Sequence, residues 1–314
     1  MSALTKVNRK KVKSVCQAKK RQKIKMFDNW AKWYADFYKG EQLEDIQRKE
    51  DRQSMHRFRM FLEAISNHRK YRIVDVGCGT GYLLVRLLQL GHDAYGFDYS
   101  DNMIRQAKDF LKKSDLNAER AVCADLSFLD RFRSNSLDFV TAAGLVRYLN
   151  REEERKFYRK VRRVLKPSGR FVVTFTNELF DVWSFNRYTV DFFKRNVLTF
   201  KPIEQYVDPE KAVSRFRQLI THPEEPVVRA HSLRDKNLVI LHNPLTIEKH
   251  LLSYGFEVKD KRFSLWEPMP PLLKDGDEKS YDLAHAALEM YDDHDWRGNF
   301  MAYEIFTNCK PRRQ

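Results

Sequence analysis

The composition of this 314-residue chain is that of a folded protein whose positive charge is concentrated at one end. Apolar residues make up 42% of the sequence and aromatic residues 13%, which is enough for a buried core and excludes wholesale disorder. The net charge is +15, and residues 1–25 contain ten Lys or Arg with no Asp or Glu. Such a leader could hold RNA or another anionic surface. It has no aromatic residue to stack on a base, so a solvated, partly helical leader is the simpler interpretation.

The cysteines and the hydropathy indicate a cytoplasmic protein. The cysteines show neither C-x-x-C spacing nor the density typical of disulfides, which indicates a reducing compartment and no structural zinc. They are Cys16, Cys78, Cys123 and Cys309. No apolar run reaches the length of a membrane span, and no hydrophobic block follows the N-terminus. We therefore expect neither a membrane span nor a signal peptide.

Two helices are predicted ahead of the first strand, within residues 27–70. Aromatic residues recur at steps of three and four from Phe27 to Tyr38, which places them on one broad helix face. A second helix with an apolar face is expected at about Ser54 to Ser66. Core packing is the expected role of most of these apolar residues.

A buried strand, a glycine-rich turn and a helix follow one another from Tyr71 to Leu90. The run 73–76 is largely apolar and β-branched, as in a strand buried on both faces, and its one charge, Asp75, needs a partner. Glycines at alternate positions then let the backbone approach a ligand closely. The helix that starts at Tyr82 presents its first N–H groups to the same place. Together these elements predict a nucleotide cradle, with a purely structural tight turn as the alternative.

The glycine spacing narrows the choice of cofactor. The dinucleotide fingerprint G-x-G-x-x-G would need a glycine where this chain has Tyr82, which argues against NAD or FAD. The pattern D-x-G-x-G-x-G resembles the first motif of the class I S-adenosylmethionine-dependent methyltransferases. The resemblance implies S-adenosylmethionine as the cofactor, held by Asp75, Gly77, Cys78, Gly79 and Gly81. Helical leaders in this superfamily often fold over the cofactor, which makes Tyr34 a minor contact candidate.

The second predicted strand, Ala94 to Phe97, ends on an acidic residue, Asp98, about twenty residues after Gly77. A carboxylate at the tip of a second parallel strand can accept hydrogen bonds from both hydroxyls of a ribose. The alternative is that Asp98 caps the next helix, but Ser100 and Asp101 are better placed for that role. We therefore assign Asp98 to the ribose. Its neighbours Tyr99 and Met103 are further cofactor contacts.

The third and fourth predicted strands add three cofactor contacts by the same resemblance. The strand at about Glu119 to Cys123 leads to Asp125, which resembles the acidic residue of the superfamily that accepts a hydrogen bond from the adenine amino group. Its apolar neighbour Leu126 would line the adenine ring. An acid after a strand is usually a turn former, so this assignment depends on order and spacing. The strand from Ser136 to Gly144 would end facing the methyl group and the acceptor. The implied contacts are Asp125, Leu126 and Ala143.

A helix and a strand then complete the alternating pattern. Asn150 and Glu153 form a capping-box variant ahead of the helix 154–165, and Lys-Pro-Ser-Gly at 166–169 predicts its end. Strand five is expected at 170–176. The order of a helix, a Leu-Lys-Pro-x-Gly motif and a strand also resembles the superfamily.

The predicted fold is α/β: a doubly wound, Rossmann-like, seven-stranded class I methyltransferase sheet with a helical N-terminal leader and a cap insertion after strand five. A helix at 244–255 would precede strand six at 256–263, with strand seven at 300–307. A strand-like segment is also expected at 237–241 in the aromatic insertion. The predicted units are a basic leader at 1–26, N-terminal helices at 27–70, the cofactor-binding core at 71–176, the cap at 177–245 and the completion of the sheet at 246–314.

The catalytic base is not evident from the sequence. Many relatives carry a histidine pair after strand four, where this chain has Leu145-Val-Arg-Tyr-Leu149. Tyr148 is a poor base at neutral pH. His294, in the cluster Asp292-Asp293-His294-Asp295, is a second weak candidate, and a solvated loop is the alternative there. A metal site would need a further ligand that the sequence does not reveal, so no metal is assigned.

The resemblance implies methyl transfer from S-adenosylmethionine to a small-molecule acceptor, as O- or N-methylation of a sugar-linked, aromatic or natural-product scaffold. An RNA methyltransferase tethered by the basic leader is one alternative. A domain that binds the cofactor without catalysis is another, and a nicotinamide dehydrogenase is disfavoured by Tyr82.

Overall fold

The computed structural model describes residues 25–29, 31, 49–65, 69–198, 208–219, 239–268, 284, 287–288 and 292–312. Tyr34, nearly all of the basic leader and the first two residues of the strand-like segment 237–241 lie outside these ranges. Among the described helices, none combines the length and the apolar character that a membrane crossing requires.

Seven strands form one mixed sheet in the order β3-β2-β1-β4-β5-β7-β6, which confirms the predicted seven-stranded α/β fold. The strands β1 to β5 run parallel to one another, and β7 runs antiparallel to both β5 and β6. The strands are β1 (Arg72–Val76), β2 (Asp93–Asp98), β3 (Ala121–Cys123), β4 (Leu137–Ala142), β5 (Leu165–Thr176), β6 (Phe256–Trp266) and β7 (Ala302–Pro311).

The helices cover both faces of the sheet. Their bounds are α1 (Lys49–Ala64), α2 (Tyr82–Gln89), α3 (Asp101–Lys113), α4 (Arg151–Val164), α5 (Phe180–Trp183), α6 (Arg187–Asn196), α7 (Pro209–Leu219), α8 (Ile247–Ser253) and α9 (Gly298–Met301). One buried cluster packs apolar residues of α1, α2 and α3 on the sheet, and a second packs those of α4 and α8. All six residues of β4 are buried, as expected for a parallel strand with helices on both sides.

Among the strand boundaries that differ from the sequence prediction, the starts of β5 and β7 have a structural explanation. β5 begins at Leu165, five residues before the predicted start, because Leu165 pairs with Leu137 and an irregularity in the register then absorbs the Lys-Pro-Ser-Gly turn. β7 begins at Ala302 rather than residue 300, after the short helix α9. The side-chain amide of Asn177 donates to the carbonyls of Gly298, Asn299 and Ala302 at 2.8–3.2 Å. These three hydrogen bonds stabilise the helical turn α9, and β7 therefore starts later than predicted.

The described part of the insertion is helical and contains no strand. Residues 239–241 were predicted to be strand-like, and this was wrong: only His242 pairs with the sheet, through a single bridge to Asn177. The His242 N–H donates to the Thr176 carbonyl at 2.9 Å. β4 ends at Ala142, opposite Val173, so only the last residues of β5 extend beyond it. That short end offers room for one bridge and not for a paired strand.

Two glycines with the same backbone conformation allow a matched test of the approach between α2 and α3. Gly81 and Gly91 have φ of +83° and +82°, where a side chain costs roughly 1–2 kcal/mol. A Cβ at Gly81 would lie 2.9 Å from the Ala107 Cβ, whereas a Cβ at Gly91 would meet no described atom within 4 Å. We expect Gly81→Ala to lower the free energy of unfolding by about 1–3 kcal/mol more than Gly91→Ala does. Urea unfolding of both variants measures the difference, and equal losses would contradict the close approach.

Candidate functional site

A cavity of about 630 Å³ lies at the carboxyl ends of β1, β2 and β4. The chain order along the sheet reverses between β1 and β4, and open α/β sheets bind ligands at such a reversal. Ten of the eleven predicted cofactor contacts line the cavity: Asp75, Gly77, Cys78, Gly79, Asp98, Tyr99, Met103, Asp125, Leu126 and Ala143. Gly81 does not line it and instead precedes the first residue of α2.

The glycine turn is fastened to β2 by backbone hydrogen bonds. The N–H groups of Gly77 and Cys78 both donate to the Phe97 carbonyl, at 2.8 and 3.1 Å. Gly79 has a φ of +53°, and a Cβ built on it would meet no described atom within 4 Å. Because Gly79 lines the cavity, its missing side chain leaves the backbone open to a ligand. This opening fits the cofactor that the sequence predicts.

Asp98 connects the glycine turn to the end of β2. Its Oδ2 accepts a hydrogen bond from the Gly79 N–H at 3.2 Å, and its Oδ1 accepts one from the Ser100 N–H at 2.9 Å. Burial raises the pKa of Asp98 to about 6, although these N–H groups oppose the shift. Ser100 caps α3 by accepting from the Met103 N–H at 3.2 Å. The capping role considered for Asp98 therefore falls to Ser100, and the carboxylate of Asp98 lies at the cavity wall.

Asp75 is only 3% exposed, and its partner is on β4. The Thr141 hydroxyl donates to the Asp75 Oδ1 at 2.7 Å, and the two residues are paired in the sheet register. Burial raises the pKa of Asp75 to about 7, Thr141 lowers it in part, and the nearby Asp98 raises it further. Two carboxylates that are hard to ionise therefore line the same cavity.

The part of the cavity beyond Ala143 is lined by cationic and aromatic side chains. Arg57 of α1 and Arg147 both line it, and their Nη1 atoms lie 3.2 and 4.0 Å from the Glu304 Oε1. Glu304 is 1% exposed, and the Arg147 guanidinium lies 4.8 Å from the ring centroid of Tyr303. Sequence reasoning missed Arg57, because only its contact with a residue 247 positions away distinguishes it from other basic residues of α1.

The first described residues of the N-terminal helical segment lie against the same cavity. Phe27 lines it, and its ring packs edge-on against Tyr148 and Tyr99, with centroid distances of 4.8 and 6.0 Å. The Asp28 carboxylate accepts a hydrogen bond from the Ser100 hydroxyl at 2.6 Å. Phe27 is therefore a further contact candidate, which the sequence had placed only on the apolar face of a helix.

Neither candidate base has the environment of one. Tyr148 lines the cavity, but burial raises its pKa, and the neighbouring Arg147 only partly opposes this. His294 does not line the cavity; it is exposed, and its ring nitrogens lie 2.9 Å from Asp260 and 3.2 Å from Asp292. A base role for either residue remains a prediction without geometric support.

Comparison with known proteins identifies the domain. Residues 73–169 match the family model of the methyltransferase domain. Over these residues the chain is similar to a methyltransferase domain. The matched stretch runs from β1 to the turn inside β5 and contains the glycine turn and the predicted ribose and adenine contacts. S-adenosylmethionine is the cofactor of such a domain, and the cradle described above fits it.

The relatives of this methyltransferase domain agree in family but cover only part of the chain. The chain is 30% identical over 147 residues to an uncharacterized methyltransferase of Bacillus thuringiensis and 29% identical to one of Bacillus cytotoxicus. Each match spans 47% of this chain and 64% of the relative. A chain from the complex between the Haloferax volcanii Trm112 methyltransferase activator and a methyltransferase has a TM-score of 0.50 and 15% identity, covering 91% of this chain and 98% of that chain. This last similarity supports the fold alone.

The buried carboxylate of Asp75 should make stability depend on pH in a specific direction. Its folded pKa, about 7, exceeds the unfolded value, so its contribution is fully present below the unfolded pKa and is lost as the pH rises through the folded pKa. In Asp75→Asn the side chain has no carboxyl group to ionise, so this loss of stability with rising pH is removed. Its amide oxygen can still accept a hydrogen bond from the Thr141 hydroxyl. We expect the free energy of unfolding of this variant, relative to the wild type, to rise by about 3 kcal/mol between pH 5 and pH 8.

Urea unfolding at the two pH values, without cofactor, measures this change. Asp101→Asn on the surface is the control and should show little pH-dependent gain. A constant difference between Asp75→Asn and the wild type would mean that Asp75 is not a destabilised carboxylate.

Proposed function

We propose that this chain transfers the methyl group of S-adenosylmethionine to an oxygen or nitrogen atom of a small or medium-sized acceptor. The observation that carries the proposal is a single cavity that joins the predicted donor contacts to a second wall of different chemistry. Asp98 and the glycine turn line one part of it, and Arg57, Arg147 and Tyr148 line the other. Its volume is in the range of small-molecule sites, and donor and acceptor could occupy it together.

The role of the protein in this reaction is mainly alignment. The cofactor supplies a methyl group that is already activated on a sulfonium. The chain has to hold donor and acceptor in line and exclude water, which is worth on the order of 7–11 kcal/mol. Asp75 and Asp98 would favour a cationic ligand, because a nearby positive charge stabilises their ionised forms. Phe27 and Tyr148 would shield the cavity from water.

The second part of the cavity wall, which we call the acceptor wall, consists of Arg57, Arg147 and Tyr148. Its side chains favour an acceptor that loses its proton without a strong base. Arg57 and Arg147 cannot accept a proton, and the raised pKa of Tyr148 makes it a poor base. An amine or an acidic hydroxyl on a sugar-linked, aromatic or natural-product scaffold satisfies this condition. The insertion contributes Val239 and Ile240 to the cavity wall, and the Ile240 N–H donates to the Arg147 carbonyl at 2.6 Å. We therefore assign it the role of a substrate cap.

RNA methylation is the second candidate, because ten basic residues are concentrated in positions 1–25. Neutralisation of phosphates by such a leader would make binding fall steeply with salt. The full chain can be incubated with labelled S-adenosylmethionine and either a panel of small acceptors or total RNA. Label in a small product that is insensitive to moderate salt supports the main proposal. Label in RNA that is lost with rising salt supports the second candidate.

Asp98→Ala tests the donor side directly. Loss of a charge-assisted pair of hydrogen bonds to the ribose should raise the dissociation constant for S-adenosylmethionine roughly ten- to a hundredfold. Isothermal titration measures the constant, and Asp101→Ala is a matched control because Asp101 is exposed and does not line the cavity. An unchanged constant in Asp98→Ala would remove this residue from the site.

Cofactor binding should also release protons near pH 6.5. Asp75 and Asp98, with pKa values of about 7 and about 6, are partly protonated there, and a bound cation lowers the pKa of a nearby carboxyl group. Titrations in buffers with different ionisation enthalpies count the protons released. S-adenosylhomocysteine lacks the sulfonium charge and should release fewer. Equal proton release for both ligands would contradict a charge contact to the sulfonium.

A further inference from the structure

Three titratable side chains that the cavity does not use meet beside it. Glu154 is on α4, His242 lies near the end of the insertion and His250 is on α8. The Nε2 atoms of His242 and His250 lie 2.7 and 3.0 Å from the same atom, the Glu154 Oε1, and one ligand atom from each residue falls within 4.8 Å of the others. Because the three residues come from separate elements, the fold assembles this cluster; a local turn does not.

The cluster is buried beside the cavity. Glu154 is 0% and His242 is 4% exposed. The Nε2 atoms of both histidines face the Glu154 carboxylate, so each imidazole has to carry its proton on Nδ1 before its Nε2 can bind an ion.

Two neighbouring side chains fix the orientation of the Glu154 carboxylate. The Tyr158 hydroxyl donates to its Oε1 at 2.9 Å, and the Arg151 Nη1 donates to its Oε2 at 3.0 Å. Outer hydrogen bonds of this kind orient metal ligands in known sites. The Arg151 Nη1 also lies 3.5 Å from the His242 Nε2, where its charge would compete with a cation. Its side chain is 64% exposed, so it can move into solvent when an ion enters.

We propose that Glu154, His242 and His250 form a binding site for a divalent transition-metal ion, with zinc as the best match. Two imidazoles and one carboxylate are a ligand set found in zinc sites, where a water molecule takes the fourth position. Tetrahedral coordination with bonds of about 2.0–2.1 Å places ligand atoms roughly 3.3 Å apart. The observed distances of 2.7 and 3.0 Å would have to widen by about 0.6 and 0.3 Å to reach this separation. Magnesium and calcium prefer oxygen ligands, so the imidazoles disfavour them.

The position of the site suggests a clamp on the insertion. The His242 backbone is hydrogen-bonded to Thr176 and to Glu178 at 2.9 Å, and Val239 and Ile240 just before it line the cavity. An ion held between His242, α4 and α8 would therefore fix the end of the insertion to the core. The sequence alone gave no reason to assign a metal, and the inference does not depend on the proposed methyl transfer.

Metal titration of the full chain, after treatment with a chelator, tests the site. We expect one equivalent of zinc to bind per chain and to raise the thermal unfolding midpoint. Cobalt(II) as a probe should give the visible absorption bands of a four-coordinate ion. No stoichiometric binding of either metal would overturn the proposal.

Two variants and one matched control locate the ion. His250→Ala removes a partly exposed ligand, and Glu154→Gln keeps the shape and an acceptor oxygen but removes the charge. Each should weaken zinc binding by at least about tenfold and abolish the cobalt bands. His294→Ala, at an exposed histidine beside two other carboxylates, should change neither.

A purely hydrogen-bonded cluster predicts a different outcome. In that case Glu154→Gln would alter stability, but the wild type would show no cobalt bands. Binding that survives both variants, or that is lost in His294→Ala, would also overturn the proposal. If His250→Ala fails to fold, as judged by its circular dichroism, Glu154→Gln alone decides.

Discussion

The site depends on the attachment of the glycine turn after β1 to the end of β2. The Phe97 carbonyl accepts from two N–H groups of the turn, and the Asp98 carboxylate accepts from a third, that of Gly79. Glycine at position 79 allows the positive φ of +53° and leaves its side-chain position open to the cavity. The turn that shapes the donor site and the carboxylate assigned to the ribose are therefore one hydrogen-bonded unit. A change in either would move the other.

This unit holds its carboxylates at an energetic disadvantage. Asp75 is buried and Asp98 is half-buried, and their mutual repulsion adds to the cost of ionising Asp75. A positively charged ligand would stabilise both ionised carboxylates, so its binding would offset part of this cost. S-adenosylmethionine, with its sulfonium, satisfies this condition, and a neutral nucleotide analogue does not.

Sequence patterns identified residues that the structure brings together along one part of the cavity wall, but they missed Arg57 and the cluster of Glu154, for a physical reason. The glycine turn, Asp98 and the capping box at Asn150 are local patterns whose residues lie close together in the chain, so their spacing is informative. Arg57 and Glu304 are 247 positions apart, and Glu154 meets histidines 88 and 96 positions away. No periodicity or motif connects such pairs. The early start of β5 was missed for a related reason: its first pairing, Leu165 with Leu137, depends on a register irregularity in the neighbouring strand.

The same division appears in the extent of the family match. The match covers residues 73–169, which contain most of the predicted donor contacts. Other residues of the cavity wall come from outside that stretch: Phe27 and Arg57 precede it, and Val239 and Ile240 follow it. The insertion returns to the sheet through the bridge between Asn177 and His242, next to the cluster of Glu154. Changes in these flanking segments can therefore alter which acceptor fits without disturbing the glycine turn or Asp98. A chain built in this way can keep one donor chemistry while its acceptor specificity is set by contacts between distant parts of the sequence.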